Sequence, residues 1–365
     1  MKKYFLLFSF MLLSSVAFAA STAYQEQTLE RTAAVTKIIK APFTTNFMGI
    51  YWPHLPNFTY NKNFYVRHSS NGKQWSSWKE VLLMTEGPDE NHEPFDYGHL
   101  IYTKNANFIQ FKTEKVDFSK IKLNEFHFVF IDSRKPPVTL TKKKAKRSIA
   151  GEEFVITPRT GWGADESICW KTENPTAQES VTHLFIHHSA LNSNIPHEEC
   201  DDAIRAYLSY HVTTHGWSDI GYNYLACPHG MLFQGRRFSV ETTTVDGKEV
   251  VTTKDVIGAQ VSKYNKGTLG ICAIGSYMGE VQPSQELKTT LYRYLLWQVT
   301  HYGIDPLGQT AYTPAGAKEA QTLQTILGHK DAPAASTECP GDTLHPVIPL
   351  LRTQVAERLK QPPPK

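Results

Sequence analysis

Thr182-His183-Leu184-Phe185-Ile186-His187-His188 is the stretch on which the fold turns. Residues 182–187 are a compact apolar run that reads as a buried strand, too short for an ordinary helix. Beyond it, Pro196 is placed to open a helix, and Cys200, Ile204, Tyr207, Leu208 and His211 follow at helical spacing. Residues 222–226 and 231–235 form an expected hairpin across Pro228-His229-Gly230, and residues 269–274 make a second buried strand that ends at Gly275. Ser284 can cap a helix whose Leu287, Leu291, Tyr294, Leu295 and Gln298 share a face. Leu344, Ile348, Leu351, Val355 and Leu359 mark a final helix before a Pro-rich tail. Strands alternating with helices predict an α/β fold, a mixed central sheet with helices on both faces.

Upstream the texture differs. Residues 33–133 hold short runs rich in Val, Ile, Tyr and Phe, such as Phe64-Tyr65-Val66-Arg67-His68 and Phe126-His127-Phe128-Val129-Phe130, separated by Asn, Gly, Pro and Asp. The period of two predicts strands, Ser70-Asn71-Gly72-Lys73 supplies a hairpin turn, and the region is expected to be a smaller β-sandwich. Residues 134–150, with Pro136-Pro137 and the cluster Lys142, Lys143, Lys144, Lys146 and Arg147, read as a basic linker to a second domain at 151–360. Lys2 and Lys3, the apolar run 4–13 and Ala17-Phe18-Ala19 have the layout of a secretory signal peptide over residues 1–20. Export to the periplasm or the medium is therefore expected, with no membrane span after cleavage. A formal charge of +3 is too small to argue for nucleic acid.

The mature chain carries Cys169, Cys200, Cys227, Cys272 and Cys339. In an oxidising compartment an odd count leaves one sulfur for a metal or for chemistry. Cys339 is the nominee, and Cys169 with Cys200 is the preferred pair, although four cysteines allow three pairings. His187 and His329 both stand at the carboxyl ends of expected strands, the edge where α/β sheets bind ligands. Two imidazoles and a thiolate suit Zn²⁺ with one position left open, the hallmark of a catalytic rather than a closed structural site. Among 15 histidines such a trio is weakly specified by spacing alone.

Residues 155–164, Val-Ile-Thr-Pro-Arg-Thr-Gly-Trp-Gly-Ala, are followed in order by Phe185-Ile186-His187-His188-Ser189-Ala190 and by Gly216-Trp217-Ser218-Asp219-Ile220-Gly221-Tyr222-Asn223-Tyr224-Leu225. Phe233-Gln234-Gly235-Arg236, Gly258-Ala259-Gln260, Tyr264-Asn265, Leu269-Gly270-Ile271, Gly328-His329-Lys330-Asp331 and Cys339-Pro340-Gly341-Asp342-Thr343-Leu344 complete the series. This order resembles the peptidoglycan-recognition protein and type-2 amidase family over about residues 153–360. The resemblance implies a zinc-dependent N-acetylmuramoyl-L-alanine amidase acting on peptidoglycan or muropeptides, with His187, His329 and Cys339 as metal ligands and Tyr222 as a catalytic residue beside the ion. Thr337 occupies a position where some members carry lysine, and its hydroxyl can supply only a hydrogen bond. A monomer with no nucleic-acid partner is expected.

Plainer readings run alongside. His188 should face the opposite side of its strand from His187. His211 lies on an apolar helical face, and Trp217 and Asp219 serve either the groove or local packing and turn formation. Cys339 could act as a thiol nucleophile, but no His-Cys-Asn arrangement accompanies it. Trp52, Trp75 and Trp78 serve either wall binding or the core of the first domain. Asp246-Gly247, flanked by β-branched residues, predicts a protruding hairpin that either narrows substrate choice or decorates the surface.

Overall fold

A computed structural model describes residues 23–361 apart from 31–34, 55–62, 90–93, 115–124, 137, 142–143, 150, 170–174, 192–194 and 247. The expected signal peptide at 1–20 lies outside the described residues.

The N-terminal strands are β1 (Ala23–Glu30), β2 (Ile39–Pro53), β3 (Phe64–Ser69), β4 (Lys79–Glu80), β5 (Phe95–Tyr97), β6 (Ile101–Thr113) and β7 (Glu125–Asp132). They pair antiparallel in the order β1-β7-β2-β6-β3-β4, with β5 also on β2. This corrects the sandwich expectation, because the strands form one hydrogen-bonded sheet rather than two stacked ones. The sheet encloses its own core by curling. Strands β7 and β3 are three places apart, roughly 14 Å if flat, yet the Phe64 and Phe126 rings lie 5.4 Å apart. Register shifts in β2 between Lys40 and Phe47 allow the bend. Phe126, Phe128 and Phe130 fill that inner face with Trp52, while Val129 and Ile131 take the other face. Trp52 is fully buried, so it is core. Trp75 and Trp78 hold the Arg67 guanidinium between them, at 4.9 and 4.7 Å from the ring centroids.

The second sheet uses β8 (Ala145–Ile149), β9 (Glu152–Thr157), β10 (His183–His188), β11 (Tyr224–Ala226), β12 (Leu232–Gln234), β15 (Thr268–Ala273) and β18 (Ile326–Gly328). Its order is β18-β10-β15-β11-β12-β9-β8, with both parallel and antiparallel pairs. Two hairpins stand apart, β13 (Ser239–Val245) with β14 (Lys248–Lys254) and β16 (Gln309–Tyr312) with β17 (Gln321–Gln324). The first is the expected protruding hairpin, with Asp246 at φ +51° in its two-residue turn. Two boundaries move from their expected places. β1 extends the first sheet ahead of residue 33, and β8 turns part of the expected linker into a sheet edge whose Lys146 and Arg147 guard against further pairing.

Helices cover both faces of the second sheet. After α1 (Arg159–Trp162), α2 (Cys200–Ser209) buries Ala203, Ile204, Tyr207 and Leu208 against one face with Leu225, Phe233 and Cys272. Helices α3 (Gln285–Tyr302) and α4 (Val347–Lys360) pack on the other, against Leu184, Ile186, Leu269 and Ile271. Ser284 caps α3 as expected, its Oγ accepting from Leu287 N at 3.1 Å. Cys200 pairs with Cys227, not with Cys169, because the start of α2 lies 6.2 Å (Cα to Cα) from the residue just after β11. Cys169 instead sits as a buried free thiol against Arg159 Nη2 at 3.4 Å.

The first sheet docks on the α2 side. Phe47, Tyr51, Tyr97, Tyr102, Val129 and Ile131 share one core with Tyr207, Tyr210, Trp217 and Ile220. Tyr210 Oη donates to Gly98 O at 3.0 Å, and Arg205 Nε donates to Ser133 O at 2.8 Å. Gly49 is required here by close approach, since a Cβ would fall 2.4 Å from the Tyr210 ring. Phe185 and His187 point away from the α3 and α4 face, toward this covered side.

Candidate metal centre

The parallel pairing of β10 with β15 and β18 brings His187 and His329 to one sheet edge. His187 is the last residue but one of β10, and His329 opens a short turn directly after β18. Their ring centroids lie 4.8 Å apart. Cys339 returns through the loop beyond, where Lys330 N donates to Cys339 O at 2.8 Å, and its Sγ lies 3.6 Å from His187 Nδ1. Thr337 Oγ1 accepts from Cys339 N at 3.2 Å, so this hydroxyl braces the turn that presents the thiol.

Hydrogen bonds settle which nitrogen of His187 faces the sulfur as a lone pair. Thr268 Oγ1 donates to Tyr264 O at 2.6 Å and therefore accepts from Gln260 Nε2 at 3.0 Å. That leaves Gln260 Oε1 against His187 Nε2, which must carry the proton. Nδ1 is then unprotonated and available to a metal, with its partner nitrogen held by an amide oxygen, the arrangement that supports a ligating imidazole. His329 Nδ1 is buried with no hydrogen-bond partner. A buried orphan acceptor is costly unless something else satisfies it.

A fourth donor was not foreseen. Glu86, in the loop after β4, brings its carboxylate so close that one ligand atom from each of Glu86, His187, His329 and Cys339 lies within 4.8 Å of the others. Glu86 Oε1 accepts from Tyr222 Oη at 3.1 Å, and Oε2 accepts from Thr85 N at 3.0 Å. Tyr222 thus reaches the cluster through its hydroxyl, its ring 5.4 Å from that of His187. His187, Tyr222, His329 and Cys339 are all at most 2% exposed.

Burial sets the protonation states. It lowers His187 to about 3, helped by His329, and lowers His329 to about 4, so both imidazoles are neutral near pH 7. Burial pushes the Cys339 thiol well up, with Glu86 adding to the rise, and raises Tyr222 in the same way. For Glu86 burial acts upward, but the facing His99, His329 and His187 outweigh it and hold the carboxyl at about 2. A protonated thiol is a poor nucleophile, which argues against the thiol-hydrolase reading of Cys339. Two neutral imidazoles, a sulfur that a cation would deprotonate and one carboxylate form a chemically apt set for tetrahedral zinc.

The plainer readings also find their places. His188 faces the other side, its Nδ1 accepting from Tyr277 N at 3.3 Å. His211 is buried, with Nδ1 accepting from Gly221 N at 3.1 Å and its ring 4.6 Å from Trp217. Asp219 pairs with Arg159 at 2.9 Å and caps Ile220 N, a structural role. Gln260 stood within a quoted motif without a role, and Glu86 carried no signal in the sequence at all.

Residues 177–342 match the family model described as Amidase_2, N-acetylmuramoyl-L-alanine amidase. Peptidoglycan-recognition protein LB of Drosophila melanogaster is 29% identical over 201 residues, covering 51% of this chain and 77% of that protein. The N-acetylmuramoyl-L-alanine amidase of Homo sapiens is 26% identical over 207 residues, covering 54% of this chain and 28% of the human one. The solved structure of wild-type Drosophila PGRP-LB aligns with 53% of this chain and 91% of its own, at 26% identity and a TM-score of 0.39.

Proposed function

Because residues 177–342 belong to the Amidase_2 family, we propose that this chain is a zinc-dependent hydrolase of the amide bond between N-acetylmuramic acid and the L-alanine of the peptidoglycan stem peptide. The observation that carries the reading is that one donor atom each of His187, His329 and Cys339 lies within 4.8 Å of the others, with His187 Nδ1 free of its proton and a ring nitrogen of His329 without a hydrogen-bond partner. A zinc ion on these donors would supply Lewis acidity, polarising the amide carbonyl and making water nucleophilic near neutral pH.

The side chains then have separable tasks. Gln260 fixes the His187 tautomer. Tyr222, a neutral phenol, donates a hydrogen bond to the carbonyl oxygen as it gains charge, a contact worth on the order of 3 kcal/mol in a transition state. Thr337 holds the Cys339 turn and is the second catalytic candidate through its hydroxyl. The reaction needs a wall substrate, which agrees with the signal-peptide reading of residues 1–20. Among the described residues no helix is long and apolar enough to cross a membrane.

The test is metal analysis of the purified chain together with incubation of a defined muropeptide, resolved by mass. Hydrolysis at the lactyl amide, stopped by chelation and lost in Cys339→Ala, is the expected result. A chain that binds the muropeptide with its zinc in place but never cleaves it in any variant would identify a recognition protein instead.

A further inference from the structure

Resting on that reading, we propose that the chain is latent as folded: segment 85–89 of the N-terminal sheet is a strap that seats Glu86 as the fourth metal donor and lies across the substrate groove. Glu86 comes from outside the matched family residues, 136 positions before the Tyr222 that hydrogen-bonds it. The position that an open hydrolytic site reserves for water or a carbonyl oxygen is therefore filled from within the chain. The same carboxylate also takes the Tyr222 hydroxyl.

The strap continues past the metal donors. Asn265 Nδ2 donates to Gly87 O at 3.0 Å and to Asp89 Oδ1 at 2.7 Å, and Asn265 N reaches the same carboxylate oxygen at 3.2 Å. Ser262 Oγ donates to Pro88 O at 3.4 Å. Gly87 also lies beside Trp217, where a Cβ would be in ordinary contact with the indole at 3.9 Å. These partners stand in the Trp217 loop and in the loop before β15, so the strap bridges both sides of the site. With His187, His329 and Cys339 at most 2% exposed and Glu86 buried above them at 8%, a glycan strand has no route to the donors while the strap is down. The rest of the first sheet is tied by the shared core around Tyr210, which makes the strap rather than the sheet the moving part. Opening would withdraw the Glu86 carboxylate and leave its place among the donors to water or a substrate oxygen, with no covalent bond changed.

The test uses the full chain loaded with Co²⁺, whose visible bands report the ligands, titrated with azide as a probe of an open position, beside muropeptide turnover. The wild type should respond weakly to azide, and Glu86→Ala should respond at about tenfold lower azide while its turnover rises by about tenfold, the scale of one lost charge-assisted contact. Asp89→Ala removes two strap contacts without touching a metal donor and should shift both readouts in the same direction. If Glu86→Ala fails to hold cobalt, Asp89→Ala decides: a stronger azide response supports the strap, and a wild-type response overturns it. Wild-type azide binding with turnover abolished in Glu86→Ala would also overturn it, making Glu86 a catalytic base. If no variant cleaves muropeptide while azide still separates wild type from Glu86→Ala, the latch stands and the amidase reading fails.

Discussion

Gln260 holds the proposed metal ligand His187 in one tautomer, and replacing it gives a quantitative test of that assignment. In Gln260→Leu the His187 Nε2–H loses its acceptor inside a fully buried site. Leaving such a donor unsatisfied costs about 1–3 kcal/mol, and the ring can escape the cost by moving its proton to Nδ1, where it blocks the metal. Either outcome should weaken zinc binding by about 10- to 100-fold, the range seen when an outer partner of a ligating histidine is removed. Gln260→Glu keeps an acceptor and should stay near wild type. Gly270→Ala provides an independent approach, because its Cβ would sit 2.7 Å from the Gln260 amide and push it off its seat. Zinc affinity is read by competition with a chromophoric chelator, with thermal unfolding of the metal-free proteins as a control. Wild-type affinity in Gln260→Leu would refute the claim that Nδ1 is the donor.

Three further outcomes follow from the same geometry. Tyr222→Phe should keep its metal and lose about 10²–10³-fold in muropeptide turnover, measured by mass-resolved rates; a change in zinc content instead would mean a structural role. Breaking the Cys200–Cys227 bond in Cys200→Ser/Cys227→Ser, which closes a separation of 27 residues, should cost about 3–4 kcal/mol in denaturant unfolding. For Asp219, burial acts upward but Arg159 and Arg236 outweigh it and hold the carboxyl below its ordinary value. Its stabilising contribution is thus present above the unfolded value of about 4 and lost as pH falls through the lower folded one. Asp219→Asn should destabilise the chain by about 3 kcal/mol near pH 7 and flatten the acid limb of stability below about pH 4, as followed by urea unfolding at stepped pH. An unchanged acid limb would count against the pairing.

The parts of the site that the sequence made legible are those written in local patterns. A six-residue apolar run placed His187 at a strand end, Ile326-Leu327-Gly328 did the same for His329, and Ser284 and Asp246 marked a cap and a turn that the fold uses. The parts that stayed hidden depend on contacts between distant segments. β1 is mostly polar and shows no apolar period, so only its pairing with β7 makes it a strand. The curl that turns an expected sandwich into one sheet comes from irregular pairing in β2, which composition does not record. The choice of Cys227 over Cys169 rests on where β11 ends relative to α2.

Glu86 is the extreme case, and it changes what the first sheet is for. Taken alone, an aromatic-rich β region ahead of a hydrolase suggests a device for gripping substrate, and Trp52 was a natural candidate. That indole is buried with Phe64 at a centroid distance of 4.8 Å, and Trp75 and Trp78 are engaged with Arg67, so none of the three forms an open aromatic platform. What the sheet offers the metal centre is one carboxylate in a loop that nothing nearby in sequence distinguishes from a surface turn. Its surroundings distinguish it: a buried carboxylate beside three imidazoles and a thiol is held by the Tyr222 and Thr85 hydrogen bonds and by the capacity of these groups to share a cation, while a solvated glutamate would gain nothing there. An isolated ionised carboxylate would not remain buried on packing grounds alone. Its partners therefore point to a ligand's position, and removing the carboxylate should alter the metal's coordination before it alters the fold.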